Sequence, residues 1–348
     1  MNRNIGRKSF SFFLLIILAF TPPIFIKNEY VIHILITICI NILIASSFRL
    51  IMTTGLFSFC HTAFVGIGGY ASALTVMRLG QSSWVGLIFA PFVTMLIAIA
   101  FGLILLRLKG TYFFLATFAF GEIVMLVFTR FTNPFGGAAG LMHIPPPNPI
   151  TIPGLLTIKF DSIMAFYYFA LIITLVPLLI TYRMDRSRMG AIWTGIQQAD
   201  QLAQSVGINV MLYKIIAFTV GSSMAAVAGA FQAQYISHVH PGGFGFVVLV
   251  NYLTFVIVGG RKKFIGPVIG TSLLVLLGEF LGLYEDLAQY QAIIYGIILI
   301  LFVIFLPEGI ISLPDKVSSW YRELKSRGEL GQPKTSQAQY HESDFDPT

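Results

Sequence analysis

The sequence predicts an all-α polytopic membrane protein, and three observations predict it. Hydrophobic residues make up 56% of the 348 positions and charged residues only 11%, which leaves too little polar surface to coat a soluble globule of this size. Apolar runs close to the roughly 20 residues needed to cross about 30 Å of hydrocarbon recur along nearly the whole chain. Runs of that length select helices rather than a barrel as the way to satisfy the backbone in lipid. One transmembrane domain over residues 1–314 is therefore expected, followed by a polar tail over 315–348.

Ten segments can be placed in order. Arg3, Arg7 and Lys8 precede an apolar run from Phe10 to Phe25. No small-residue cleavage site follows Pro22 and Pro23, so this run reads as a retained first helix rather than a cleaved signal. The next eight runs are Tyr30 to Phe48, Ile51 to Met77, Trp84 to Leu106, Thr111 to Thr129, Ser162 to Tyr182, Tyr213 to Ile236, Phe244 to Gly260 and Gly266 to Leu283. Tyr290 to Leu306 completes the set. Each pairs sufficient length with high apolar content. The tail from Asp315 to Thr348 runs through serine, glutamine and acidic residues without periodicity and is expected to be disordered.

Charge then orients the helices. The formal charge of +7 would point to nucleic acid in a soluble protein, but here it belongs to the membrane loops, and no nucleic-acid partner is expected. With the N-terminus inside, every Lys and Arg of the 22 falls on the inner side except Lys27, Arg78, Arg130 and Lys159. That asymmetry is what the positive-inside rule demands, so both termini are expected in the cytoplasm. Cys39 and Cys60 lie apart within apolar stretches, and no disulfide or metal pair follows from them.

Two loops break the pattern. The outer one, 130–161, carries Gly136, Gly137 and Gly140 followed by Pro145, Pro146, Pro147, Pro149 and Pro153. It cannot be a regular helix and reads as a stiff connector, with a docking role as the alternative. The inner one, 183–212, places Ile192, Ile196, Ala199, Leu202, Ala203 and Val206 at helical spacing beside Gln197, Gln198, Asp200, Gln201 and Gln204. This predicts a short amphipathic helix with Gly207 as its stop. A helix lying on lipid headgroups would carry basic residues on its polar face. None occurs between Met189 and Tyr213, so protein docking is the better reading.

Small residues are dense in two spans, Gly66, Gly68, Gly69, Ala71 and Ala73 in one and Gly221 to Ala230 in the other. Close helix packing explains most of them. In the first, Thr53, Thr54, Gly55, Ser58, His61 and Thr62 add hydroxyls and a helix-weakening glycine, which predicts a broken helix beside a polar space. Only His33, His61, Glu122 and Glu279 are ionisable groups within spans. Such groups are functional candidates, though Glu122 and Glu279 read equally well as structural hydrogen-bonding groups. No catalytic set, metal cluster or Walker-type lysine motif is present, so no enzyme activity and no cofactor are expected, and any nucleotide must be bound by another subunit.

Across most of its length the chain resembles the permease subunits of branched-chain amino acid ABC importers, which are similar also to urea and some sugar ABC permeases. The resemblance rests on Gly55 to Phe64 with Gly66 to Tyr70, on Lys109 to Phe113 leading into Thr117 to Ile123, and on Gly136 to Leu141. It continues through Gly207 to Val210, Ala228 to Ala230, Gly259-Gly260 before Gly266 to Gly270, and Leu306 to Ile310. It implies the ten-helix architecture of vitamin B12-type importers, a second permease subunit, cytosolic ABC ATPase subunits and an external solute-binding protein. The stretch Gly195 to Gly207 would be the coupling helix, with Gly195, Gln198, Asp200, Ala203 and Gly207 as its contact residues. Asp200 stands where the family has an acidic residue, while Gln197 and Ala199 replace an Arg and an Asn. Phe59 and Cys60 stand where Leu and Gly are usual.

The expected pathway residues are Ser58, His61, Thr62, Gly66 and Gly69, with Thr117 and Glu122 behind them. The expected function is ATP-driven import of a branched-chain or other amino acid by alternating access, in the bacterial inner membrane. A urea or amide permease is the alternative within the family. A channel or secondary carrier is the rival from outside it, and the inner helix, for which a channel has no use, separates the two.

Overall fold

The computed structural model describes residues 28–152, 156–158, 160, 162–306 and 308–313. The expected first helix and the polar tail lie outside the described residues. The helices are α1 Glu29–Met52, α2 His61–Met77, α3 Ser83–Leu105, α4 Thr111–Arg130 and α5 Ile163–Asp185, then the short α6 Arg188–Gln198 and α7 Asp200–Ser205. Four more follow: α8 Val210–Ile236, α9 Phe246–Gly259, α10 Gly266–Gly282 and α11 Gln291–Phe305. Among the described residues, seven stretches are long and apolar enough to cross a membrane, and α2 and α10 are shorter at 17 residues each.

Several helices start where a polar side chain replaces a missing backbone partner. Asn28 accepts from Tyr30 N at 3.0 Å, Ser162 from Ala165 N at 3.3 Å and Asn209 from Leu212 N at 3.1 Å, each satisfying an amide of a first turn. Pro91 and Pro177 sit inside α3 and α5. Such interruptions are tolerated in membrane helices where surrounding groups answer the freed carbonyls.

The centre of the bundle is α8, which packs most extensively against α2, α3 and α1. Small residues make this possible. A Cβ at Gly68 would come within 2.4 Å of the Ala226 backbone, and one at Gly229 within 2.0 Å of Val65 O. The crossing of α2 and α8 is thus a backbone-to-backbone contact of the kind that lipid, which offers no hydrophobic drive, requires. Around it Tyr70, Phe64, Phe218 and Phe231 are fully buried.

Side-chain pairs mark the two ends of the bundle. At one end Arg49 of α1 meets Asp185 of α5, and Gln197 of α6 donates to Met52 O at 3.2 Å. At the other, Tyr30 of α1 donates to Glu279 of α10 at 2.8 Å, and His33 Nδ1 lies 2.5 Å from the Tyr235 hydroxyl of α8. Successive long helices therefore run alternately between an end that carries α6 and α7 and an end that does not.

The Gly- and Pro-rich segment is irregular, as expected. It carries three short strands, β1 Leu141–Met142, β2 Ile150–Ile152 and β3 Leu156–Ile158, of which β2 and β3 form an antiparallel pair. β1 pairs with β4, His238–Val239, just beyond α8, in the register Leu141↔Val239 and Met142↔His238. Asn148 accepts from Ser83 N at 2.8 Å, and its carbonyl accepts from Trp84 Nε1 at 3.0 Å. The segment is thereby tied to the start of α3 and the end of α8.

Candidate functional site

The break predicted within the third apolar run is present. The run expected as one segment from Ile51 to Met77 divides: α1 continues to Met52, and α2 begins only at His61. Thr53 and Thr54 turn their hydroxyls back onto Leu50 O at 2.6 Å and Ile51 O at 2.8 Å. Gly55 then adopts φ +81, a left-handed conformation that costs glycine little and ends the helix.

Four expected pathway residues lie in or beside the break. Ser58, His61, Thr62 and Thr117 are all buried. Thr117 of α4 accepts the Phe59 amide at 3.2 Å and donates to Phe113 O at 2.9 Å, which fixes the broken segment to α4. The Ser58 hydroxyl lies 3.2 Å from Cys60 Sγ. Ser47 Oγ donates to Ile44 O at 2.7 Å, so the 2.9 Å contact with His61 Nε2 requires the imidazole to be the donor. The ring stacks on Phe48 with centroids 4.9 Å apart. His61 thus sits within the packing of α1 against α2. Gly66 and Gly69 lie further along α2, against the Phe244 ring and Gly229 O respectively, where they permit close packing.

Glu122 is the exception among the ionisable groups of the spans. His33, His61 and Glu279 each have a partner, in Tyr235, Ser47 and Tyr30. Glu122, midway along α4, is exposed and has no hydrogen-bond partner among the described residues.

Sequence reading missed the aromatic cluster beside this site. Phe59 meets Phe114 edge-on at 4.3 Å, and Phe246 at the start of α9 lies 6.4 Å from Phe59 and 5.6 Å from Phe118. Phe114 and Phe246 are 38% and 46% exposed, so the rings form an uncovered apolar face. Phe114 and Phe118 at i, i+4 were the available signal; their meeting with Phe59 and Phe246 is a tertiary event.

The inner loop differs from expectation in two respects. Gly195 to Gly207 is two helices and not one, because Ala199 is extended at φ −157, ψ 94 between α6 and α7. Both helices are anchored to α8, one on each side of the break. Trp193 is fully buried and donates from Nε1 to Tyr213 O at 3.0 Å, while Asp200 is held by Lys214 at 2.5 Å. Ile196 and Ala203 pack with Val210, but Leu202 and Val206, expected on the same apolar stripe, are 67% and 70% exposed. Gln198 is exposed, and nothing lies within 4 Å of a Cβ built on Gly195. Gly207, at φ +85, stops α7: its amide meets Gln204 O at 3.0 Å and the next amide meets Ala203 O at 3.1 Å, the two bonds of a Schellman cap.

Apolar spans packed around α8, with a break between α1 and α2 and a docked helix pair at one end, make up a multi-pass membrane protein. The chain belongs to the family described as the branched-chain amino acid transport system / permease component, whose model matches residues 30–303. It is a transporter permease subunit of that family and not an enzyme.

It is 26% identical over 305 residues to the high-affinity branched-chain amino acid transport system permease protein LivM of Salmonella typhimurium, covering 83% of this chain and 69% of that one. The Escherichia coli LivM protein is 25% identical over 323 residues, 86% of this chain and 74% of its own. Among solved structures, PsaBC from Streptococcus pneumoniae in complex with Fab overlaps 83% of this chain and 96% of its own at 15% identity and a TM-score of 0.43, too distant to assign a fold.

Proposed function

We propose that this chain is one of a pair of ten-helix permeases in an inner-membrane importer for branched-chain amino acids, with both termini in the cytosol. ATP is hydrolysed by separate subunits, and solute arrives from an external binding protein. The observation that carries the reading is the α6–α7 pair. It is anchored to α8 through Trp193, Asp200 and Ala203, while Leu202 and Val206 project from it uncovered. A rigidly docked lever with an exposed apolar tip is what an ATPase must grip to move the bundle.

Two further features support the reading. Glu122 cannot face hydrocarbon without cost, so its side of α4 is suited to a second permease and a polar path between them. The path beside the break is lined by small residues, hydroxyls and phenyl rings, which suits transient passage of an aliphatic amino acid whose affinity resides in the binding protein.

Ala203→Pro tests the assignment. The substitution deletes the Ala203 N–H to Ala199 O bond of 3.1 Å within a six-residue helix, and a proline there costs about 3 kcal/mol or more. The expected result is loss of ATP-dependent amino acid uptake with normal membrane insertion. Normal uptake by the well-inserted variant would sink the coupling role and favour a channel or carrier.

A further inference from the structure

A cavity of about 620 Å³ lies where the α1–α2 break, the start of α4 and the α6–α7 pair meet. Its size falls within the roughly 300–1,000 Å³ of small-molecule sites. Its lining includes Phe59, Phe114, Thr54, Lys109, Asp200 and Lys214. Phe59 and Phe114 also belong to the aromatic cluster and Asp200 to α7, so the cavity adjoins both the proposed path and the lever.

The lining selects its occupant by charge. Asp200 and Lys214 offer one charge of each sign, and Lys109 adds a second cation. A zwitterion satisfies both signs: its carboxylate suits Lys109 and Lys214, and its ammonium suits Asp200. The Asp200–Lys214 pair is accessible enough for this exchange, the two side chains being 29% and 11% exposed. The phenyl rings then take an aliphatic side chain out of water.

We infer that an aliphatic amino acid binds in this cavity from the cytosolic side and that its occupancy slows the transport cycle. The inference rests on the proposed function for its solute and its sidedness. Bound there, the amino acid links Asp200 at the start of α7 to the rings of the break and of α4. A ligand that contacts the lever in one position and loses those contacts in another biases the lever toward the first, and the coupling works in both directions. Accumulated solute would thereby restrain its own import.

The test uses the assembled transporter, with its partner permease and ATPase subunits, in nanodiscs without binding protein. Radiolabelled leucine binding is measured at equilibrium, and ATPase rate is followed as leucine is raised. Saturable binding with a falling ATPase rate is expected. Lys214→Met and Phe114→Ala should each weaken binding by about tenfold or more, the loss expected for one charged hydrogen bond or one apolar wall. Lys262→Gln, in the neighbouring cavity, should leave binding unchanged. A complex that imports leucine with ATP and binding protein but binds none alone overturns this inference and leaves the proposed function standing. Binding indifferent to both Lys214→Met and Phe114→Ala also overturns it. A complex that neither imports nor binds leucine overturns both.

Discussion

Arg49 is a cation that loop counting assigns to an inner surface, yet its side chain is only 6% exposed. Its guanidinium lies 2.6 Å from Asp185, and Nε donates to Arg261 O at 3.1 Å, so one residue joins α1, α5 and the turn between α9 and α10. A buried pair contributes little net stability, but stranding one partner is expensive. Asp185→Leu should therefore cost about 3–5 kcal/mol. It would appear as lost monodispersity in detergent on mild heating. The double variant Arg49→Met with Asp185→Leu should recover most of that loss, and a single variant that melts like the parent would refute the structural role. At the α2–α8 crossing, Gly229→Val places side-chain atoms where Val65 O stands 2.0 Å from the first added carbon. Overpacking of about 1–3 kcal/mol or more is expected, measured as reduced yield of folded protein by size-exclusion chromatography.

At the scale of the element, α6 and α7 divide their labour. The faces with Trp193, Ile196 and Ala203 fasten the pair to α8, and the face with Leu202 and Val206 remains open. Leu202→Asp together with Val206→Asp should leave the fold intact, since both positions are more than half exposed. Loss of apolar anchors at an interface centre costs about 2 kcal/mol or more, so ATPase subunits should no longer co-purify and uptake should fall at least in proportion. Undiminished co-purification would mean that the ATPases grip another surface.

At the scale of the whole molecule, the exposed carboxylate of Glu122 is the strongest argument that one chain is not the functional unit. Cys39 and Cys60 are buried, at 8% and 0% exposure, so a new thiol can be read against a quiet background. Glu122→Cys should react with a water-soluble maleimide in the assembled transporter, and the rate should change when nucleotide is trapped. A thiol that reacts only with a lipid-soluble reagent would place this face in hydrocarbon and remove it from the path.

Much of this was legible in the chain because it depends on local composition. Span lengths follow from apolar runs, the break after Met52 from Thr53, Thr54 and Gly55, and the stop after α7 from Gly207, since each expresses a nearest-neighbour rule of hydrogen bonding or backbone sterics. The resemblance carried by Gly55 to Tyr70 and by Thr117 to Ile123 named the family in advance of any structure. Other features are long-range and left no local trace. The anchoring of the inner helix pair joins Trp193 to Tyr213 and Asp200 to Lys214; the meeting of Phe59, Phe114, Phe118 and Phe246 joins the break, α4 and α9. The burial of His61 against Ser47 and of Arg49 against Asp185, beside the exposure of Glu122, was decided by how the helices rotate about their own axes. In lipid that rotation is set by close packing and polar pairing between helices, and the hydropathy of a single helix does not encode it.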